Sequence, residues 1–378
     1  MDKKVTYAEA ILVEEIKAVK AFDAPEGLDR RILVAGNRSG GVTVAAMRRW
    51  PKAEVIAHAF DYHHARAIRK RLLDEGLPAR NVRCAASVGM EGASYDLAFF
   101  MTTPQSMPAE LVLDQLQDIH ANLLDDGALY AAFEGDPDDA LKTMRLVWKN
   151  VSVLKRAKHA VLFKTVKRGA PVKTRDFAAT WEASVPGGKP LAFTTYPGCF
   201  CHRRPDAGGL ALAEVAARAV KENADKIPST LHSSPFAILD MGCGCGLVGL
   251  LVADAFRTLC PSPSAFRLTL IDSHARAIAA AQANATRAGI EAESILSDDG
   301  LPRGRVGEYD LFVGNPPYYS DYRIAEVFLE TAYRALKPGG TCLTVVKTAT
   351  GLLALQEKYF RKAEVIKRRG YCVLRSVR

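Results

Sequence analysis

A strand-and-glycine signature occurs twice in this chain, and that repetition constrains the fold more than any other feature. RRILVAGNRSGG, from Arg30, and FAILDMGCGCGLVG, from Phe236, each read as an apolar strand running into a glycine turn. A helix and a second strand follow in both places: VIAHAFD ends at Asp61 and RLTLID ends at Asp272. Next come the helices HHARAIRKRLLDEG and HARAIAAAQANATRAG, then YDLAFFMTTP from Tyr95 and YDLFVGNPP from Tyr309. Another helix leads in each case to LLDDGALYAAF or LKPGGTCLTVV. The last matching pieces, VSVLKRAKHAVLF and EVIKRRGYCVLRS, align with Lys155-Arg156 on Lys367-Arg368 and read as antiparallel hairpins.

Strands alternate with helices and are short, unbroken apolar runs, which suits parallel strands buried on both faces. The expectation is an α/β chain made of two copies of a doubly wound domain. The copies are expected at 1–168 and 191–378, with a linker at 169–190 whose Pro, Gly and Trp181 make it more than a flexible tether.

Length and composition agree: 378 residues, 48% hydrophobic and 25% charged, are enough for two ordinary globular cores. No apolar run is long enough to span a bilayer, and the opening residues lack a signal-peptide core, so no membrane association and a cytoplasmic location are expected. Eight cysteines are too few for a disulfide scaffold of this length. Cys199 and Cys201, like Cys243 and Cys245, are spaced CxC with only His202 adjacent, so free thiols are expected and no metal site.

The net charge is +9, and its distribution says more than its size. Between Lys142 and Arg175 there are eleven Lys or Arg and no Asp or Glu, which leaves the rest of the chain near neutrality. From Arg361 to Arg378 there are seven Lys or Arg against one Glu. Both clusters fall on the final hairpins. Lys155, Arg156, Lys158, Lys367, Arg368 and Arg369 are therefore candidate contacts to nucleic-acid phosphates.

Asp240, Gly242, Gly244 and Gly246 form a D-x-G-x-G-x-G loop between a strand and a helix. Glycines allow the tight turn and the close approach of a ligand, and the helix N-terminus supplies free N–H groups. Asp272, ending the next strand, suits two ribose hydroxyls. A glycine loop alone fits NAD, FAD or S-adenosylmethionine. A carboxylate such as Asp240 beside the ligand repels a pyrophosphate but attracts the ammonium of a methionine moiety, which favours S-adenosylmethionine. In the first copy Gly36 and Gly40 match Gly242 and Gly246, but Val34 replaces Asp240 and Arg38 replaces Gly244. That copy is expected to bind no cofactor.

Asn315-Pro316-Pro317-Tyr318 follows the fourth strand of the second copy. Prolines cannot donate, so carbonyls near them stay free to accept, and the Asn315 side-chain oxygen adds another acceptor. Converging acceptors suit an exocyclic NH₂, and Tyr318 offers a flat face for a base. Such an amine is a weak nucleophile until its lone pair is aimed at a methyl donor, so positioning does most of the work. The matching stretch of the first copy, from Met101 to Pro104, lacks both the Asn and the aromatic.

Taken together, these motifs resemble the tandem-domain ribosomal RNA guanine-N2 methyltransferases of the RsmC and RlmG type. The resemblance covers nearly the whole chain and implies two Rossmann-like class I methyltransferase domains, the N-terminal one degenerate. TTYPGCFCHRRPDAGGLALAE, from Thr194, is similar to the family's segment before the glycine loop, which implies that Phe200, Asp206 and Gly208 help form the cofactor pocket. Asp272 matches the family's ribose acid, Ser273 stands beside it, and Asp298 matches the position that reads the adenine amino group. Asn315 to Tyr318 match the catalytic motif. The implied partner is ribosomal RNA or a ribosomal subunit, the small one favoured; the fused pair of domains makes a monomer the expectation. Tyr318 stands where the family usually has Phe, and Tyr there is common in adenine-N6 and protein glutamine-N5 methyltransferases, which are the alternative activities. A non-catalytic RNA-binding assembly factor is the non-enzyme alternative.

Overall fold

The computed structural model describes residues 5–19, 30–91, 93–102, 107–224, 235–259, 266–317 and 322–378. The chain divides into two compact units, Met1–Phe177 and Ala178–Arg378.

In the first unit α1 (Tyr7–Ala18) precedes β1 (Arg31–Ala35), α2 (Gly41–Arg49), β2 (Glu54–Ala59), α3 (Tyr62–Asp74) and β3 (Val82–Cys84). Then come β4 (Tyr95–Thr102), α4 (Ala109–Asn122), β5 (Leu123–Glu134), α5 (Pro137–Arg145), β6 (Val151–Arg156) and β7 (Ala160–Val166). The second unit opens with β8 (Ala179–Ala183), β9 (Leu191–Thr195), α6 (Ala207–Ala224), β10 (Phe236–Met241), α7 (Leu247–Leu259) and β11 (Phe266–Asp272). It continues through α8 (Ala275–Ala288), β12 (Ala292–Leu296), β13 (Tyr309–Gly314), α9 (Arg323–Ala335), β14 (Leu336–Val346), α10 (Thr350–Phe360), β15 (Glu364–Arg368) and β16 (Tyr371–Val377).

Each unit builds one seven-stranded sheet, in the order β3-β2-β1-β4-β5-β7-β6 and β12-β11-β10-β13-β14-β16-β15. The first five strands of each order run parallel, and the closing hairpin is antiparallel. The doubly wound reading therefore holds in both halves, with the same topology.

Alternation along the central strands explains why both faces are covered. Ile238 of β10 joins a core with α6, α7 and α8, while its neighbour Leu239 joins one with α9 and α10. In the first unit Leu33 packs with α4 and α5, and Ile32 with α1 and α2. Each fully buried side chain of that size stabilises by about 1.5–3 kcal/mol.

The repeated Tyr-Asp-Leu motif has a structural cause. Asp96 accepts from Arg31 N at 2.9 Å, and Asp310 accepts from Ala237 N at 2.8 Å, so each aspartate ties off the start of the neighbouring central strand. Tyr95 and Tyr309 are fully buried beside them. Helix ends follow local chemistry: Asp61 caps α3 through His63 N, and Gly289 closes α8 in the left-handed region at φ 63°.

The boundary between the units falls inside 169–190, the segment read as a linker. Val172 N donates to Val147 O at 2.9 Å, Arg175 N donates to Gln117 at 2.8 Å, and Phe177 is buried, so this part packs on the first unit. Beyond it β8 pairs with β9, and Trp181 stacks on the buried Phe193 at 5.0 Å within the second unit. Among the described residues no helix is long and apolar enough to cross a membrane.

Candidate active site

In the second unit β10 lies between β11 and β13 and runs parallel to both. The chain leaves β10 toward one edge of the sheet and returns on the other side. That reversal opens a crevice at the carboxyl ends of the strands. In spatial order along it stand Asp298 after β12, Asp272 and Ser273 at the end of β11, the glycine loop after β10, and Asn315-Pro316-Pro317 after β13. Residues far apart in sequence thus share one edge. Tyr318 lies outside the described residues.

Gly242, Gly244 and Gly246 all have positive φ, of 69°, 56° and 85°. A side chain at Gly242 would also meet Phe328 at 2.8 Å, so glycine is required twice over there. The loop is pinned to β11: Gly242 N and Cys243 N both donate to Ile271 O, and Gly244 N donates to Asp272 Oδ2 at 2.9 Å. Asp272 Oδ1 accepts from His274 N at 2.8 Å, which fixes the carboxylate at the strand end. A methyl group on Gly244 would meet nothing within 4 Å, so the outer face of the loop is open where a ligand is expected.

Asp240 sits differently from the sequence expectation. It is 2% exposed and turned beneath the loop, where Oδ2 accepts from Gly249 N of α7 at 2.8 Å. Burial, with Asp272 adding repulsion, pushes its carboxyl up to about 7 against the pull of that N–H. Its evident work is to hold the loop on the helix. The flanking Cys243 and Cys245 are buried, and burial raises both thiols, that of Cys245 to about 12. Among the described residues no group of three or more His, Cys, Asp or Glu could hold a metal ion.

Two of the pocket residues drawn from the family resemblance, Asp206 and Gly208, stand at the start of α6. Asp206 Oδ2 accepts from Gly209 N at 2.6 Å and from Asn315 Nδ2 at 2.9 Å, so α6 and the segment after β13 meet through one carboxylate. A methyl group on Gly208 would lie 3.1 Å from Tyr371 Cε1, which leaves glycine as the residue that fits easily. Phe200 stands apart from these contacts, 68% exposed on the preceding turn.

Asn284 and Tyr371 belong to none of the sequence motifs. Asn284 is 1% exposed on α8; it accepts from Thr194 N and donates to Thr194 O and Cys245 O, clipping β9 to the glycine loop. A single Asn in an otherwise alanine-rich helix face was the available signal. Tyr371 lies under Lys347, whose Nζ is 4.3 Å from the ring centroid, at the rim of the crevice beside Gly208.

The first unit repeats the frame with altered contents. α1 is capped by Thr6 as α6 is capped by Asp206, which sets Glu9 at the place of Gly209 and Glu14 at the place of Glu214. Glu9 is 4% exposed and hydrogen-bonds to Ser39 of the glycine turn. Its Oε1 lies 2.0 Å from where a methyl group on Gly41 would be. In the second unit the residue at that helix start is Leu247, which in turn would lie 3.1 Å from a methyl group on Gly209. The two units have exchanged an acid on one helix for a leucine on the other. A carboxylate already occupies the positive end of α2. Arg38 is exposed, and Glu9 joins Val34 and Arg38 among the differences between this turn and the loop of the second unit. Thr103 and Pro104 of the matching stretch lie outside the described residues.

The basic hairpins divide into two groups. Arg368 and Arg369 both pair with Glu214, whose side chain is 4% exposed, and so fasten the hairpin to α6. Lys155 pairs with Glu14 in the corresponding place of the first unit, and Arg156 with Asp138 at 3.4 Å. Lys158 and Lys367 are exposed on the hairpins.

A family model for the methyltransferase small domain matches residues 190–375, the stretch that contains every element of this crevice. The ribosomal RNA small subunit methyltransferase C of Pseudomonas entomophila is 27% identical over 305 residues, covering 78% of this chain and 83% of that protein. The chain is similar to the RsmC-type tandem methyltransferases. The protein of the same name from Pseudomonas paraeruginosa is 31% identical over 194 residues, about half the length of each. A Thermus thermophilus 16S rRNA N2 G1207 methyltransferase, solved with AdoMet and guanosine, matches 100% of this chain and 93% of its own at a TM-score of 0.71 and 18% identity. That likeness covers both units and so includes the degenerate first copy. The cofactor of the family is S-adenosylmethionine, and the open loop, Asp272 and Asp298 fit a nucleoside with a methionine tail.

Proposed function

We propose that this chain transfers a methyl group from S-adenosylmethionine to the exocyclic N2 amine of a guanine in small-subunit ribosomal RNA, acting as a monomer in the cytoplasm. The observation that supports the chemistry most is the placement of Asn315-Pro316-Pro317 at the carboxyl end of β13, next to the glycine loop on β10. S-adenosylmethionine supplies an electrophilic methyl group on sulfur. Gly242, Gly244 and Gly246 give its methionine part a close-fitting loop, Asp272 and Ser273 face the ribose, and Asp298 the adenine. The Asn315 oxygen and the carbonyls beside the prolines accept from the target amine and turn its lone pair toward the methyl group, with Tyr318 stacking on the base. The relatives' printed names support ribosomal RNA of the small subunit as the substrate, and the guanosine held by the Thermus protein supports the base.

Labelled methyl donor, offered with separated small- and large-subunit RNAs from cells lacking the enzyme, tests this. The expected product is N2-methylguanosine in the small-subunit RNA alone. Label in N6-methyladenosine, or in protein, would reassign the target to one of the alternatives. Transfer to neither, with S-adenosylmethionine unbound, would leave an assembly factor.

The first unit serves as a folded platform, and Lys158 and Lys367 are the hairpin cations with most charge to spare for phosphates. Calorimetry with S-adenosylhomocysteine is expected to give one site per chain. Two equivalent sites would overturn the assignment of the first unit.

A further inference from the structure

We infer that Asp206 is a positioning residue that decides which end of the Asn315 amide faces the substrate, an inference that rests on Asn315 holding the target amine. An asparagine amide presents an acceptor on one side and two donors on the other, and the two ends are nearly the same size. Only the oxygen serves an amine whose N–H groups must be received. If the NH₂ end pointed into the crevice, donor would face donor.

Asp206 removes that choice. Its Oδ2 lies 2.9 Å from Asn315 Nδ2, and a carboxylate oxygen accepts and does not donate. The reversed amide would set its oxygen against that carboxylate, so both contacts select the same orientation. The carboxylate is itself held in place. Oδ2 also accepts from Gly209 N at 2.6 Å, Oδ1 accepts from Cys201 Sγ at 3.7 Å, and Gly208 leaves room for Tyr371 alongside. The helix start of α6 thus reaches across 109 residues of sequence to orient the group after β13. Asp206 touches neither the reacting nitrogen nor the methyl group in this scheme; it acts through Asn315.

The test exchanges charge across the pair. Asp206→Ser keeps a good helix cap but is too short to reach Asn315. It is expected to lower kcat about a hundredfold, with the S-adenosylmethionine Kd and the melting temperature unchanged. Asn315→Asp places two carboxylates face to face and is expected to fall as far. Adding Asp206→Ser to Asn315→Asp removes the facing carboxylate and leaves an acceptor at position 315 in either orientation, and activity is expected to recover at least tenfold over Asn315→Asp alone. The substrate is small-subunit RNA from cells lacking the enzyme, and Asn315→Ala runs alongside. If Asn315→Ala stays active, the reading of Asn315 fails and this inference with it. If Asn315→Ala is inactive but Asp206→Ser keeps its kcat, or the double variant does not recover, the positioning role alone is wrong. A rise in the S-adenosylmethionine Kd matching the loss in kcat/KM would make Asp206 a cofactor ligand instead.

Discussion

Asn315→Ala is expected to cut methyl transfer by about 10²–10³-fold at saturating RNA and cofactor, the range seen when one preorganised polar contact to a reacting group is deleted. The loss falls on kcat, because the contact matters most as the amine is turned toward the methyl group. Binding of S-adenosylmethionine is expected to change less than about twofold, since the loop, Asp272 and Asp298 lie on the other three strands. Single-turnover kinetics with the donor prebound, set beside calorimetry on the same variant, separate the two effects. Normal turnover would remove Asn315 from the chemistry, and equal losses in both measurements would make it a cofactor contact.

The second large effect concerns stability and its dependence on pH. Asp240 is buried with its carboxyl raised to about 7, whereas in the unfolded chain it titrates near 3.8. Between those values the native state holds a proton that the unfolded state has released. Raising the pH through that window therefore weakens the fold. The stabilising contribution is complete below the unfolded value and is lost as pH rises through the native one. About three pH units at 1.36 kcal/mol each give roughly 4 kcal/mol for the second unit. Asp240→Asn keeps an acceptor for Gly249 N and cannot ionise. Its urea midpoint for the second unit should gain steadily on that of the unaltered protein from pH 4 to pH 7.5. Parallel curves for the two proteins would show that Asp240 does not titrate in this window.

Much of this architecture was legible because the same pattern is written twice. Short apolar runs, glycine turns and a repeated Tyr-Asp-Leu gave both sheets, and NPP beside a glycine loop located the crevice. What the pattern hid depended on direction rather than residue type. Asp240 was expected to face the ligand's ammonium, but its strand position turns it under the loop toward Gly249. Arg368 and Arg369 read as candidate phosphate contacts, and their pairing with the buried Glu214, on a helix 154 and 155 residues away, carried no sequence signal. Asn284 and Tyr371 carried no motif because their partners, Thr194 and Gly208, come from distant segments. The segment 169–190 read as one linker, while its first part packs on the first unit through Phe177 and its second part on the second unit through Trp181, stacked on Phe193.

The acid-for-leucine exchange between Glu9 and Leu247 bears on any effort to convert the turn of the first unit into the loop of the second. Rewriting its turn to the D-x-G-x-G-x-G pattern through Val34→Asp and Arg38→Gly leaves Glu9 anchored to Ser39. Removing that acid alone opens a hole beside Gly41, and enlarging Gly41 alone drives a side chain into a carboxylate oxygen. Helix α1 and helix α2 must be recast together, so the turn of the first unit is separated from the loop of the second by paired changes that no single substitution can bridge without loss.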